Sequence, residues 1–519
     1  MTDEPATEAV RRVDGDSRPT LAGPFEEGAP SVWDRTDWWA VGALFLVSLI
    51  LVGLHVRAYT QLSPIDELQH IDYVIKAGDF EPPHVNDPVG FEAMAEAACR
   101  SVDAPGYIGP PCGLDRYDPE DFQENGVNTA ARQFPVYYTI TGVISRFVVA
   151  TGAIGSQVTA ARLVGGLWAG AAWSMMWYVL ALLRIGRARR VVALAALIAT
   201  PFTLFHAATV NADGLLMFTG SLSLVATLKF EARRLNGWLL LVFFAALYFL
   251  EATNILAIAT CAAYLAVRVS RSADAPALRR ILPAVAIAMV LVFRLRVAAA
   301  VQRFLFPASP RTLSATMFTD NAAPDGVVWD RVLAQLDTLF TPVNYAYVPS
   351  FLQSQRTYAL QEVVNWLLIG AMFAVAIGVT SVRSAWAPGR HDVQGGPVAD
   401  DRNADLADDR SGDPAGDVTV PVGGSSADDD VADGIADEQS RWLTRFGMVA
   451  LIAAGPFYTF SFAYFSDADF PSQARFALPL VTLLVVGLAS ALTTRWAMGI
   501  ASVVVTLSSA NLLWLLLTP

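Results

Sequence analysis

The sequence predicts an all-α polytopic membrane protein with about eleven transmembrane helices and a long first outer loop carrying juxtamembrane helices. Three observations predict it. Of 519 residues, 54% are hydrophobic and only 16% charged, whereas soluble domains are nearer a quarter charged. Apolar runs of roughly 17–25 residues recur, long enough to cross a hydrocarbon core of ~30 Å. The ~10-residue alternating segments of a membrane barrel are missing. The expected location is the cell membrane, multi-pass, with the lipid bilayer as first partner.

Residues 1–37 are polar and read as a disordered cytoplasmic N-terminus. The first apolar run follows them without a small-residue cleavage site, so it reads as a retained anchor rather than a signal peptide. Spans are expected near 38–56, 159–183, 191–209, 213–229, 237–251, 254–268, 281–300, 361–381, 446–465, 476–493 and 496–517. Residues 38–381 form one transmembrane module and 445–519 a C-terminal set of helices. Arg184, Arg187, Arg189 and Arg190 crowd one short connection. Lys229, Arg233 and Arg234 lie in another, and Arg268, Arg271, Arg279 and Arg280 flank a third. Basic connections stay cytoplasmic, while those near 210–212 and 252–253 carry no Lys or Arg. The N-terminus is therefore expected inside, with 57–158 and 301–360 extracytoplasmic.

Residues 134–150 are apolar enough to suggest a twelfth span. Counting them would place the arginines of 184–190 outside, and the segment is short and contains Arg146. It reads instead as an interfacial helix with its aromatics at headgroup level.

The net charge of −12 is local. Between Asp392 and Glu438 stand 13 Asp, one Glu and two Arg, which alone carry −12. Residues 382–444 thus form an acidic, Gly/Pro/Ser-containing cytoplasmic linker of disordered type. This charge excludes nucleic acid as a partner. Of three cysteines, Cys261 sits in an apolar run, while Cys99 and Cys112 share the first outer loop. An extracytoplasmic loop permits a disulfide between them; two free thiols are the alternative.

The most unusual segment follows the first span: Ser63-Pro64-Ile65-Asp66-Glu67-Leu68-Gln69-His70-Ile71-Asp72-Tyr73-Val74. Ser63 can cap a helix, Pro64 suits its first position, and an acid three residues after Ser63 resembles a capping box. Gly78 would end the helix. Asp66, Gln69, His70 and Tyr73 share one face and Leu68, Ile71 and Ile75 the other, an amphipathic helix for the membrane surface. A carboxylate there can take a proton from an attacking hydroxyl or amine, a role suited to Asp66 and Glu67. His70, with a nearby acid, could hold a divalent cation against a phosphate leaving group. The same acids could merely favour the helix dipole.

Other candidates lie on the same expected side. Asn211 or Asp213 could cap the fourth span or reach the cavity of Asp66. Arg294 and Arg296 interrupt an apolar run, which makes them candidates for a lipid phosphate or for snorkelling. Asp467, Asp469, Gln473 and Arg475 crowd a short outer loop, where Arg475 is the only base.

Together these residues resemble the GT-C superfamily, the integral-membrane glycosyltransferases that use polyprenyl-phosphate sugars. Asp66-Glu67-Leu68-Gln69-His70-Ile71-Asp72-Tyr73 is similar to the acidic motif of a bacterial branch related to the protein O-mannosyltransferases. Phe134-Pro135-Val136-Tyr137-Tyr138 resembles that branch's Pro-Pro-x-Tyr-Tyr helix start, with one of its two prolines missing. Asn211-Ala212-Asp213 resembles its second acidic site. Gln473-Ala474-Arg475-Phe476-Ala477-Leu478-Pro479 resembles its late Gln-x-Arg motif. The likeness covers roughly 38–300 and part of 440–490; the acidic linker is foreign to it. It implies Asp66 as catalytic base, Glu67 and His70 as accessory or metal-side groups, and Asn211, Asp213, Arg294, Arg296, Gln473 and Arg475 around the substrate phosphate. The implied partners are a polyprenyl-phosphate-linked sugar and a cell-envelope glycan, lipid or protein acceptor. A transporter or flippase is the alternative, although no internal repeat supports it; an envelope assembly protein is a third reading. An outer cavity joining Asp66, Asp213 and Arg475 beside a lipid-accessible groove would favour the enzyme, and a midplane site between two pseudo-symmetric bundles the transporter.

Overall fold

The computed structural model describes residues 33–271 apart from 86, 105 and 233, together with 329–334, 355–378, 427–466 and 474–518. The regular elements among them are helical. Among the described residues extended chain pairs at two isolated bridges, Leu62 with Val102 and Pro88 with Val127. Residues 1–32, the span expected at 281–300 with Arg294 and Arg296, most of 301–354, the expected linker as far as 426, and 467–473 with Gln473 lie outside the described residues, while 427–444 of that linker is helical, with Gln439, Ser440, Leu443 and Thr444 buried.

Helix α1 (Arg35–Ala58) leads to α2 (Glu67–Gly78), α3 (Phe91–Arg100) and α4 (Val136–Ala150). Then follow α5 (Gln157–Leu182), α6 (Arg187–Ile198), α7 (Pro201–Ala208), α8 (Asp213–Glu231), α9 (Gly237–Leu250) and α10 (Ile255–Arg271). After α11 (Trp329–Ala334) come α12 (Gln355–Ala376), α13 (Ala427–Ser466), α14 (Val481–Ala491) and α15 (Arg495–Leu517). Among the described residues α1, α5, Glu438–Phe460 of α13, and α15 are long and apolar enough to cross a membrane. The bent pair α6 and α7 makes a fifth crossing if taken as one span. This is a helical membrane protein.

Helix α1 packs along α5, and α5 along α8. The first contact is close at Gly166 and Gly170, which leave room for Leu49 and Phe45, and Ser48 donates from Oγ to the Gly166 carbonyl at 2.8 Å. Helices α12, α13 and α14 form a second group, and α14 and α15 join it to α6. At the start of α1 the buried Asp37 accepts from Arg190 at 3.1 Å and from Trp177 Nε1 at 2.9 Å, and Arg187 reaches Asp34 and Asp37. The 24 residues of α1 span about 36 Å at 1.5 Å per residue. The Arg187–Arg190 cluster and the segment after Tyr59 therefore lie at opposite ends of the bundle.

The break between α6 and α7, bent by 68°, follows from Pro201. Proline has no N–H to offer the Leu197 carbonyl. That carbonyl instead accepts from Thr200 N, Thr200 Oγ1 and Thr203 Oγ1, at 3.0, 2.6 and 3.1 Å. Thus α7 turns away and carries the 209–212 turn inward. Two glycines set the closest approaches. A Cβ on Gly165 of α5 would lie 1.7 Å from the Ala207 carbonyl oxygen, and one on Gly220 of α8 would lie 2.1 Å from that of Pro479. Neither site has room for a side chain.

The loop after α1 builds a small core of its own around α2, with Leu62, Leu68, Ile71, Tyr73, Val89, Met94, Phe122 and Tyr138 buried in it. A disulfide joins Cys99 to Cys112, and Cys261 is free and buried. Two expectations change here. Helix α2 does not lie on a surface with one wet face: Glu67 to Ile75 are all buried, because the 79–133 segment folds over it. In α4, Tyr137 and Tyr138 are buried against the loop core rather than placed at headgroup level, while Ile140, Val143 and Phe147 form its exposed stripe.

Candidate functional site

Asp66 precedes the first residue of α2 with φ 55 and ψ 11, a left-handed backbone uncommon outside glycine, and its side chain makes no cap hydrogen bond. The capping box expected from Ser63 is displaced by one residue. Ser63 donates its N–H to Glu67 Oε2 at 2.6 Å, and Ser63 Oγ accepts from Ile65 N at 3.1 Å. The Asp66 carboxylate is left to reach another element. It accepts from Arg475 Nη2 at 3.0 Å, and Arg475 Nη1 stands 3.3 Å from Asp213 Oδ2. Three segments distant in sequence thus meet on one guanidinium: the start of α2, the start of α8, and the 3-10 stretch Ala474–Leu480.

Each partner has a structural reason to be there. Asp213 opens α8 after the turn delivered by α7, and its N–H is donated to Asn211 Oδ1 at 2.9 Å. Asn211 therefore shapes the turn. The 474–480 stretch runs against α8 at Gly220 and is fixed beside it by the Ser221–Thr482 hydroxyl contact of 2.8 Å. Asp213 and Arg475 are buried, whereas the Asp66 side chain is 36% exposed. Asp66 is the open edge of the triad.

Two carboxylates escaped the sequence reading. Glu251 lies between α9 and α10, accepts from Thr253 Oγ1 at 3.1 Å, and shares the electrostatic field of Asp213 and Arg475. Glu124 lies in the loop facing Asp66, with φ 58; burial by its surroundings, then the Asp66 charge, push its carboxyl above the usual range. Two carboxylates therefore contact Arg475, and Glu251 and Glu124 add negative charge to the same neighbourhood. The guanidinium is held by acids before any ligand arrives.

Glu67, expected beside Asp66 in catalysis, is wholly buried and spends both oxygens elsewhere. Arg162 Nε and Val210 N donate to Oε1 at 2.8 and 2.9 Å; Arg162 Nη2 and Ser63 N donate to Oε2 at 2.8 and 2.6 Å. Its four acceptor positions are filled. Arg162, inside the first turns of α5, was invisible as a partner from sequence.

His70 does not face the triad alone. Its Nδ1 is 2.7 Å from the Tyr138 hydroxyl, which donates to Gln133 Oε1. Its ring stacks on Tyr138, which stacks on Tyr73 at 3.8 Å. Burial holds the imidazole down at about 4, so it is neutral near pH 7. Among the described residues no group of three or more His, Cys, Asp or Glu side chains is placed to hold a metal ion. Among these residues none joins His70 in a ligand set for the expected divalent cation.

A separate groove of about 520 Å³ lies between α1, α6 and α15, lined by Leu44, Val47, Leu51, Leu194, Ile198 and Leu512 among others. It is almost wholly apolar and contains none of the acids above, so it offers no reactive chemistry. No protein-family model matches the chain, and no curated protein or solved structure does.

Proposed function

We propose that the chain is a membrane glycosyltransferase of the GT-C type, transferring a sugar from a polyprenyl-phosphate donor to a cell-envelope acceptor. Its eleven spans would place the Asp66 end of the bundle on the outer face. The observation that carries this reading is the meeting of Asp66, Asp213 and Arg475. Three residues singled out for acid–base and phosphate chemistry come together at one end of α1, opposite the basic cluster of Arg187 and Arg190.

The geometry supports a specific sequence of events. Arg475 holds Asp213 in a buried contact and Asp66 in a more open one. A donor phosphate entering from the open side competes with Asp66, the contact that solvent already weakens. The guanidinium then presents its fork to the phosphate while staying anchored to Asp213. Asp66 loses its cation, and its freed carboxylate accepts the proton of the attacking acceptor as that group bonds to the anomeric carbon. The sugar–phosphate oxygen bond breaks, and the leaving phosphate keeps the electron pair beside Arg475. Asp66→Asn keeps the shape and removes the basicity. Transfer of labelled sugar from a polyprenyl-phosphate donor in membranes should fall by ~10²–10⁴-fold in a folded variant. Wild-type turnover by the Asn variant would return Asp66 to a purely structural role.

A further inference from the structure

We infer that Glu67 and Arg162 are a positioning pair: a buried clamp that sets Asp66 and Asp213 at the spacing at which one arginine can hold both. The inference rests on the transfer reading only for its kinetic part.

The pair is unusual in how much chain it gathers. Arg162 and Glu67 are 1% and 0% exposed, in contact through two parallel N–H···O bonds of 2.8 Å. Two of the three remaining guanidinium donors go to the carbonyls that leave α1, Tyr59 at 2.9 Å and Gln61 at 2.6 Å, and the guanidinium carbon lies 5.6 Å from the Tyr59 ring centroid. The remaining carboxylate positions go to Ser63 N, before α2, and to Val210 N, in the turn before α8. One ion pair thus joins α5, the exit of α1, the first turn of α2 and the entry to α8.

The placement matters because each acid on Arg475 is a near neighbour of one of these contacts. Asp66 is adjacent to Glu67. Val210 is adjacent to Asn211, whose side chain holds Asp213 N. Displacing Glu67 would move both acids, by different routes, relative to Arg475. The clamp also accounts for the Asp66 backbone. A left-handed aspartate without a cap bond persists only where its surroundings over-determine it, and the residue after it is held by four hydrogen bonds. Glu67 touches no reacting atom and has no acceptor position to spare, so it acts through Asp66 and Asp213.

The chemistry of the clamp is directional. It needs a carboxylate where two backbone N–H groups converge and a guanidinium where two carbonyls converge. A lysine at 162 could reach Glu67 or the carbonyls but could not form the planar fork. A glutamine at 67 would turn its amide NH₂ toward N–H donors. Exchanging the two charges would set a guanidinium against Ser63 N and Val210 N.

The test is hydrogen–deuterium exchange on the full chain in detergent, read peptide by peptide. Glu67→Gln and Arg162→Lys are each expected to speed exchange in both 59–68 and 207–214 by roughly 10- to 100-fold, the weight of hydrogen bonds to charged groups. The 40–52 stretch of α1 should be unchanged. Arg146→Ala, which breaks a half-exposed pair with Asp79, should leave both segments at wild-type rates. The charge exchange Glu67→Arg with Arg162→Glu should not restore protection. A change confined to one segment, uniform acceleration along the chain, or recovery in the charge-exchanged chain would each overturn the clamp. In the labelled-sugar assay, kcat of both conservative variants should fall at least tenfold without loss of folded protein; unchanged kcat would overturn the positioning role. A wild-type chain without transferase activity would defeat the proposed function while leaving the exchange result to decide the clamp.

Discussion

Arg475 reaches Asp66 across 409 positions of sequence, Nη2 to Oδ2 at 3.0 Å, and holds Asp213 with its other terminal nitrogen at 3.3 Å. The shorter contact is the more exposed one. Distance and energetic weight therefore run in opposite order here, because solvent screens Asp66 and not Asp213.

The first prediction is a ranking of couplings. Arg475→Gln leaves Asp213 buried without its cation and should be more destabilising than Arg475→Lys. In double-mutant cycles, Arg475 with Asp213→Asn should give an interaction of about 1–3 kcal/mol, and Arg475 with Asp66→Asn under about 1 kcal/mol. Thermal unfolding in detergent measures both. Equal couplings would mean that Asp66 is as dry as Asp213.

Gly220→Ala adds a methyl where the Pro479 carbonyl stands. It should cost about 1–3 kcal/mol as overpacking and displace the 474–480 stretch, lowering donor binding as well as stability. Gly42→Ala, with open space around it, should be neutral or slightly stabilising. The comparison is made by unfolding temperature and by donor affinity.

A third prediction concerns pH. The His70 imidazole is held at about 4 by burial, below its usual 6.5. Between these values the unfolded chain binds a proton that the folded chain refuses. Stability should then fall as pH drops from about 6.5 to about 4, by up to about 1.4 kcal/mol per unit for this group. His70→Gln should flatten that slope relative to the wild type in unfolding scans at matched pH. An identical slope in both chains would place the proton elsewhere.

The fourth tests orientation. A reporter fused after Arg187 should read as cytoplasmic and one fused within 79–87 as extracytoplasmic, because the two regions lie at opposite ends of α1. A reporter after Arg187 that reads as extracytoplasmic would restore 134–150 as a span.

Legibility in the sequence followed a physical line. Asp66, Asp213 and Arg475 could be found because a charged group beside an apolar run is conspicuous wherever it ends up. Their meeting could be suspected from order and sidedness alone. Glu67 could be seen but not understood, because its partner Arg162 lies near the start of a span, where an arginine resembles any snorkelling boundary residue. The amphipathic pattern of α2 suggested a surface helix, and only the 79–133 segment, which carries no periodic signal of its own, turns that helix into a buried one. The 68° break at Pro201 fell inside one apolar run, so a single span was expected at 191–209 where the chain makes two short helices.

The long sequence separation between Asp66 and Arg475 also sets an order of maturation. At ribosomal speeds of about 5–20 residues per second, some 20–80 s pass between synthesis of the aspartate and of the arginine that meets it. Asp66 and Asp213 both reach the membrane within that interval, and the nascent chain carries two acids at a half-built corner with no counter-charge between them. The Glu67–Arg162 clamp can close early, since both residues belong to the first third of the chain. The contacts of the clamp thus precede those of Arg475 in synthesis, and the two acids gain their shared cation only when most of the chain has been made.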